Sequence, residues 1–206
     1  MTRSNLTAPF RIALLIIAAA VVMTSHHALA QFTLNSLVTT AKDPNLKNGW
    51  GLSYLPGGPF WVADDNTGVS TVYDANGTIA SLVVTVPSAK TGTGTPTGIV
   101  ANTTAGFVVK QNGKSAPAAF IFDTLDGTIS GWNSTVNAKS AVIAVDNSST
   151  ANYTGLASGA SGTQTLLFAA NQAKNQVEVY NQQLQASEDL HRHEADRARC
   201  VRRSRS

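Results

Sequence analysis

Trp50-Gly51-Leu52, then Phe60-Trp61-Val62-Ala63-Asp64, then Gly68-Val69-Ser70-Thr71-Val72-Tyr73-Asp74 form a unit that is written again further along the chain. The later copy runs Thr154-Gly155-Leu156, Leu166-Leu167-Phe168-Ala169-Ala170-Asn171 and Gln176-Val177-Glu178-Val179-Tyr180-Asn181. A single inserted residue aligns Ala63 with Ala169 and Tyr73 with Tyr180. A looser copy lies between them: Thr97-Gly98-Ile99-Val100, Phe107-Val108-Val109, and Phe120-Ile121-Phe122-Asp123 followed by Gly127-Thr128-Ile129-Ser130-Gly131-Trp132-Asn133. Self-similarity at a fixed period marks a repeat architecture, in which one supersecondary element is copied along the chain.

The copies read as strands. Short runs of Val, Ile, Phe, Tyr, Trp and Thr are bounded by Gly, Asn, Asp and Pro, and no stretch from Gln31 to Gln183 sustains an apolar period of 3.6. Asn76-Gly77 and Asp126-Gly127 suit two-residue hairpins whose central residues take positive φ, and Pro56-Gly57-Gly58-Pro59 separates two strands. Val69, Thr71 and Tyr73 alternate with Ser70, Val72 and Asp74, and Val177, Val179 and Asn181 with Glu178 and Tyr180, which predicts half-buried antiparallel strands. Segments Gly92 to Thr97, Lys110 to Ala118 and Ser158 to Thr165 are expected as surface loops. A unit of roughly 45 to 60 residues with three or four strands has the size of one propeller blade, whereas a sandwich would not repeat the glycine-led start and the aromatic end. The fold class expected is therefore all-β, a partial β-propeller of about three blade-like units, with an N-terminal signal helix and a disordered basic tail.

Composition divides the chain into 1–30, 31–183 and 184–206. Arg3 and Arg11, the apolar run Ile12 to Met23 and Ala28-Leu29-Ala30 have the order of a secretory signal, predicting cleavage after Ala30 and a secreted or periplasmic product. The apolar run is too short for about 30 Å of hydrocarbon, so no transmembrane anchor is expected after cleavage. From Gln31 to Gln183 there is no Arg, His, Cys or Met, and seven Lys face seven Asp and Glu178, a net charge of −1. The positive charge of the whole chain belongs to its ends. Such a body lacks the basic footprint that counterion release requires, which excludes nucleic acid as its partner. After Gln183 come six Arg, two His and Cys200 without any Gly or Thr, a composition that cannot support packing and is read as a disordered Arg-rich tail or a non-native end. One cysteine gives no disulfide framework.

The runs Trp50-Gly51-Leu52, Gly58 to Asp64, Gly68 to Tyr73, Pro96-Thr97-Gly98-Ile99-Val100, Phe120-Ile121-Phe122, Asp126 to Asn133 and Tyr153-Thr154-Gly155-Leu156-Ala157 resemble an uncharacterised family of exported bacterial proteins. Some of its members end in a PEP-type C-terminal sorting signal, and its architecture is similar to NHL-repeat and gluconolactonase-type propellers. The resemblance covers roughly residues 35 to 181 and is most specific from Asp126 to Asn133. It implies about twice this body's length, so a truncated ring is expected here, with self-association through exposed blade edges or local opening at the third unit.

The residue inventory limits the chemistry. Without His or Cys in the body, a Ser-His-Asp or Cys-His nucleophile and a His/Cys zinc site are both excluded from it. Asp64-Asp65 and Asp123 with Asp126 are the candidates for paired carboxylates, but neighbours on a strand point to opposite faces, so turn-shaping is the expected role. Asp64-Asp65-Asn66 could hold Ca²⁺ weakly, without the spacing of an EF-hand. The lactonase resemblance would require an acidic residue in a Glu-Gly segment, where this chain has Asn48-Gly49-Trp50-Gly51. Gly92-Thr93-Gly94-Thr95 has no following Gly-Lys-Ser/Thr and reads as a linker. Trp50, Trp61 and Trp132 are expected in inter-blade cores more than in a carbohydrate platform. Asn76, Asn102, Asn133, Asn147 and Asn152 each begin an Asn-x-Ser/Thr pattern, attributed to composition. No residue is assigned to catalysis, cofactor or metal, and no cofactor beyond weak Ca²⁺ is expected. The function expected is a non-enzymatic binding or scaffold module at the cell surface or outside the cell; the alternative is a metal-dependent hydrolase of the lactonase type, incomplete in this chain.

Overall fold

A computed structural model of the chain describes residues 33–186. The expected signal helix and all but the first three residues of the basic tail lie outside the described residues. The compact unit that begins at Leu37 contains three antiparallel sheets. The first is β1 (Gly49–Tyr54), β2 (Phe60–Asp64), β3 (Val69–Tyr73) and β4 (Val84–Thr85), in that order. The second begins with β5 (Pro96–Ala101). The chain then makes a separate hairpin of β6 (Val108–Gln111) and β7 (Lys114–Pro117) before completing the sheet with β8 (Phe120–Thr124), β9 (Thr128–Trp132) and β10 (Val142–Asp146). The third is β11 (Tyr153–Ser161), β12 (Gln164–Asn171) and β13 (Gln176–Tyr180).

Each sheet starts in the same irregular way. The pairing of the first strand with the second slips by one residue between Gly49 and Leu52, between Pro96 and Ile99, and between Tyr153 and Leu156. This is a bulge, one extra residue that bends the strand. Equivalence by pairing puts Gly51, Gly98 and Gly155 at one position and Leu52, Ile99 and Leu156 at the next. The aromatic ends Tyr73, Trp132 and Tyr180 are likewise equivalent, lying opposite Phe60, Phe120 and Leu167. One detail of the expected alignment is corrected: Val62, not Ala63, matches Ala169, because Val62 pairs with Thr71 as Ala169 pairs with Glu178. No insertion is needed in the second and third strands; the length difference sits in the first hairpin.

The sheets stand face against face with β1, β5 and β11 side by side. Trp61 and Ala63 of the first sheet meet Phe120, Phe122 and Trp132 of the second. The Trp61 ring stacks on Phe120 with centroids 4.2 Å apart and lies 4.8 Å from Trp132. The opposite face of the second sheet places Ile121 and Ile129 against Tyr153, Leu167, Ala169 and Tyr180 of the third. Each buried Ile, Leu or Phe among them contributes about 1.5–3 kcal/mol on leaving water. At the rim, Thr85 N donates to Lys139 O and Ala141 N to Thr85 O, both at 2.9 Å, joining β4 to the approach of β10. Antiparallel sheets of three or four strands stacked on their faces, with first strands adjacent, are propeller blades, and the chain is a partial propeller of three units.

Stacking also corrects the expected half-burial. β8 and β9 are buried at every residue and β3 at all but Val69, because a neighbour covers each face of the sheet; in β13 burial follows position along the strand, exposed at Val177 and closed at Val179 and Tyr180. Trp61 and Trp132 lie in the inter-blade core as expected, while Trp50 is 47% exposed.

Two expected loops are hairpins. Lys110 to Ala118 lies mostly within β6 and β7, which turn through Asn112 (φ 49°) and Gly113 (φ 77°), and Ser158 to Thr165 is the tip of β11 and β12, turning at Gly162. Backbone pairing needs no apolar side chains, so Lys, Ser, Gly and Ala carry these exposed ladders. At the two turns that were expected to be hairpins with paired positive φ, only Gly77 and Gly127 take it (φ 79° and 82°). These are turns closed by a glycine in the left-handed region. The β6–β7 hairpin is fixed to the third sheet through Phe107, a buried residue at φ 55° whose N–H donates to Gln182 O at 2.6 Å. Leu184, expected in the tail, packs on the core between the second and third sheets, and Ala186 bridges to Tyr180, so the folded body continues to the last described residue.

Candidate functional site

The carboxylates singled out in the sequence go to separate places. Asp64 ends β2 and is fully buried; its Oδ2 accepts from Thr71 N at 3.1 Å and Thr71 Oγ1 at 2.7 Å, while Oδ1 has no partner. Burial raises its pKa to about 7, against the lowering effect of those bonds, and Asp43 adds to the rise. A turn does begin at Asp65, yet the two carboxylates do not pair: Asp65 Oδ2 accepts from Asn48 Nδ2 at 3.0 Å. The same amide nitrogen lies 3.3 Å from Asn66 Oδ1, so an N–H donor stands at the oxygens proposed for Ca²⁺. Among the described residues no group of three or more His, Cys, Asp or Glu is placed to hold a metal ion. The acid expected in a lactonase's first blade is replaced by Asn48, whose side chain is committed to this turn, so the residues present do not fit that metal.

Asp123 is also sealed. It lies on the face of the second sheet turned toward the third, where Oδ1 accepts from Thr97 Oγ1 at 2.8 Å and from Gly98 N, and Oδ2 is unpartnered. Burial lifts its pKa to about 6 against these hydrogen bonds. Thr97 Oγ1 also lies 3.0 Å from Tyr153 O, so this carboxylate fastens β5 to β11.

Glu178 anchors the third sheet to the second. Its Oε2 accepts from the Tyr153 and Tyr180 hydroxyls at 2.6 and 2.8 Å, and both hydroxyls accept from Asn147 Nδ2 at 2.8 and 2.9 Å. Its Oε1 accepts from Asn171 Nδ2, Lys174 Nζ and Gln176 Nε2. Burial alone would raise its pKa, but the donors outweigh it and hold the carboxyl at about 2. Desolvation pushes Tyr180 up to about 12 and Tyr153 higher still. Each phenol has one donor bond and one acceptor bond, and none of these groups is left to act on a ligand.

Asp126 alone of the candidates faces an open concavity. It sits at the turn after β8, two residues beyond Thr124, and lines a groove of about 540 Å³ with Lys90, Thr95, Leu125, Ser148, Ser149, Thr150, Ala151, Asn152 and Ala173. Partial burial would raise its pKa, but hydrogen bonds from Ser88, Thr124 and Thr95 outweigh this and keep it below the ordinary carboxylate value. Ser88 Oγ donates at 2.7 Å, and Thr95 N lies at 3.3 Å. The adjoining Gly127 makes the groove's geometry available. A Cβ there would fall 2.5 Å from Ala151 O and 2.9 Å from Ser148 Cα, so only glycine lets the Asn147–Ala151 turn settle against the Asp126 turn. Asn152 Nδ2 donates to Leu125 O at 2.6 Å and fixes the same wall. The sequence brought Asp123 and Asp126 together as a pair; the structure separates them into an internal tie and a groove wall. Lys90 and Ser88 carry no local motif, Thr95 falls in the segment read as a linker and Asn152 in a pattern attributed to composition, so only the Asp126-Gly127 turn pointed to this place.

Two of the Asn-x-Ser/Thr patterns shape turns. Asn102 Oδ1 accepts from Thr104 N and Oγ1, and Asn133 Oδ1 from Thr135 N and Oγ1, while their amide groups donate to Ala118 O and Pro117 O. In both, the Asn side chain closes a turn onto the N–H two residues on, and the hydroxyl of that residue adds a second bond to the same oxygen.

No family model matches the chain, and no curated protein matches it. Among solved structures it is similar to BBS1N, crystallised in complex with ARL6DN, at 17% identity and a TM-score of 0.42 over 65% of this chain and 36% of that one. It is also similar to streptogramin B lyase at 14% identity and a TM-score of 0.34, over 68% of this chain and 54% of the lyase. The chain thus spans about a third and about a half of those proteins. Such likenesses carry no argument about activity, and the blade assignment stands on strand pairing and packing.

Proposed function

We propose that the chain is a non-catalytic binding module, exported under the direction of its first thirty residues and acting at the cell surface or outside the cell. Its ligand is bound in the groove between the second and third units. One observation carries this reading: of the carboxylates considered for chemistry, Asp64, Asp65 and Asp123 are spent on internal ties, as is Glu178, and Asp126 alone meets an open, hydroxyl-rich concavity with Lys90 on its wall. One anionic group, one ammonium group and several hydroxyl and amide donors suit a polar ligand recognised by hydrogen bonds, such as a saccharide or a short polar peptide. The groove lies where two rigid sheets meet and its walls are turns, the arrangement in which binding residues are commonly displayed on a scaffold.

The test is calorimetric titration of the purified chain with neutral oligosaccharides and short polar peptides, repeated on Asp126→Asn and Lys90→Ala. Binding that weakens at least tenfold in Asp126→Asn, at an unchanged melting temperature, supports the reading. Lactone hydrolysis that depends on added Ca²⁺, Mn²⁺ or Zn²⁺ and persists through purification would replace it with the hydrolase. Export is tested separately by intact mass: a product beginning at Gln31 is expected, and secreted material retaining Met1 to Ala30 would contradict it.

A further inference from the structure

The contact between blades is directional. In each internal interface, the bulge glycine of one first strand receives the backbone of the next. A Cβ on Gly51 would fall 2.6 Å from Thr97 O and 2.8 Å from Ile99 N, and one on Gly98 would fall 2.3 Å from Leu156 N and 2.5 Å from Leu156 Cβ. At Gly155, the third member of the series, a Cβ would meet nothing within 4 Å. The complementary side is open at the other end of the stack. Ile99 is 5% exposed where it meets the first unit, but its counterpart Leu52 is 65% exposed. Tyr54, its neighbour on the same face of β1 beyond the bulge, is 57% exposed. Two large apolar side chains on alternate residues thus line the front of the first strand, and a glycine-led, small-residue face lies uncovered on the last. Within the described residues, each half of the repeated contact occurs once without its mate.

We propose that these two faces mate between copies: the Gly155 face of one chain stacks on the Leu52 and Tyr54 face of a second copy, continuing the contact that joins the first unit to the second and the second to the third. The occupant is a second copy because the chain itself supplies the surface that its internal interfaces already select. Backbone fits against glycine, and a branched aliphatic residue follows in the next unit. The contact is head-to-tail, so it either closes into a ring or propagates, and each chain uses two different surfaces.

Internal geometry supplies the probe. Ala101 N donates to Ser53 Oγ at 2.9 Å across the first interface. By strand pairing Ala157 stands where Ser53 does and Tyr54 where Ala101 does, so these two positions should approach between copies. In a Cys200→Ser background, Tyr54→Cys and Ala157→Cys are made as separate chains, each with one thiol at an exposed site. Oxidation of the mixture should give a disulfide dimer containing one chain of each kind, at least tenfold above Tyr54→Cys mixed with Val108→Cys, whose thiol sits on the β6–β7 hairpin outside both faces. Leu52→Arg added to the Tyr54→Cys chain should abolish the product at an unchanged melting temperature. A product from Tyr54→Cys alone would mean head-to-head contact, and no product in any mixture would mean that the faces do not meet. Either result overturns the proposal.

Discussion

Replacing Gly98 by Ala probes blade stacking with an internal control. The added methyl would lie 2.3 Å from Leu156 N, 2.5 Å from Leu156 Cβ and 2.8 Å from Asp123 Oδ1. Two of these atoms are backbone or backbone-proximal, and the third belongs to a buried carboxylate tied to Thr97, so none can swing away. Forcing atoms into a closed interior costs about 1–3 kcal/mol, and this site belongs at the upper end because β5 and β11 must separate. Gly155→Ala places the same methyl at the same repeat position in open space. Neither glycine has a positive φ, so both substitutions reduce unfolded-state entropy alike, by about 0.4–1 kcal/mol. That common gain cancels in the comparison. At about 2–4 °C per kcal/mol for a chain of this size, Gly98→Ala should melt roughly 4–12 °C below Gly155→Ala. Circular dichroism melts at a dilution where the chain is monomeric make the comparison. Equal melting temperatures for the two variants would refute the close approach of β5 and β11.

Stability should fall as pH rises through the neutral range. Asp64 and Asp123 have folded pKa values raised to about 7 and about 6 from 3.8, so the stability they contribute is full below about pH 4 and is lost as pH climbs through 6 and 7. Asp64→Asn should flatten that slope, and parallel slopes for mutant and parent in melts from pH 5 to pH 8 would count against a sealed carboxyl. The opposite limb belongs to Glu178, held at about 2 against 4.5: its contribution is present above pH 4.5 and disappears as pH falls toward 2. Glu178→Gln should remove part of that acid limb and cost about 1.5–3 kcal/mol at neutral pH, read by urea denaturation. Gly127→Ala should destabilise the body and weaken groove binding together, because Ala is strained at φ 82° and its methyl would meet Ala151 O.

Much of the fold was legible because a repeat exposes itself by self-comparison. The glycine-led starts, the apolar second strands and the aromatic ends Tyr73, Trp132 and Tyr180 occupy equivalent positions, and Trp61 and Trp132 lie in the core where their apolar neighbours placed them. The misses have one cause. Lys110 to Ala118 and Ser158 to Thr165 read as loops because strand signals weigh side chains, whereas an exposed ladder is held by backbone groups; the Asn112-Gly113 turn was the available sign of the first hairpin. The full burial of β8 and β9 was hidden because alternation reports one sheet face at a time and cannot show a neighbour on each side. The groove was less legible still. Lys90 and Thr95 come from the β4–β5 connection, Asp126 from the β8–β9 turn and Asn152 from the β10–β11 connection, so no spacing along the chain reveals the groove they line.

The stacking of successive sheets is tested most directly by inter-unit nuclear Overhauser contacts in the folded chain. Cross-peaks are predicted from the Trp61 ring to the rings of Phe120 and Trp132, whose centroids lie 4.2 and 4.8 Å away, and from Ile121 methyls to Leu167 and Tyr180. A well-dispersed spectrum with strand pairings intact but without these cross-peaks would show that the three sheets form and do not stack as blades.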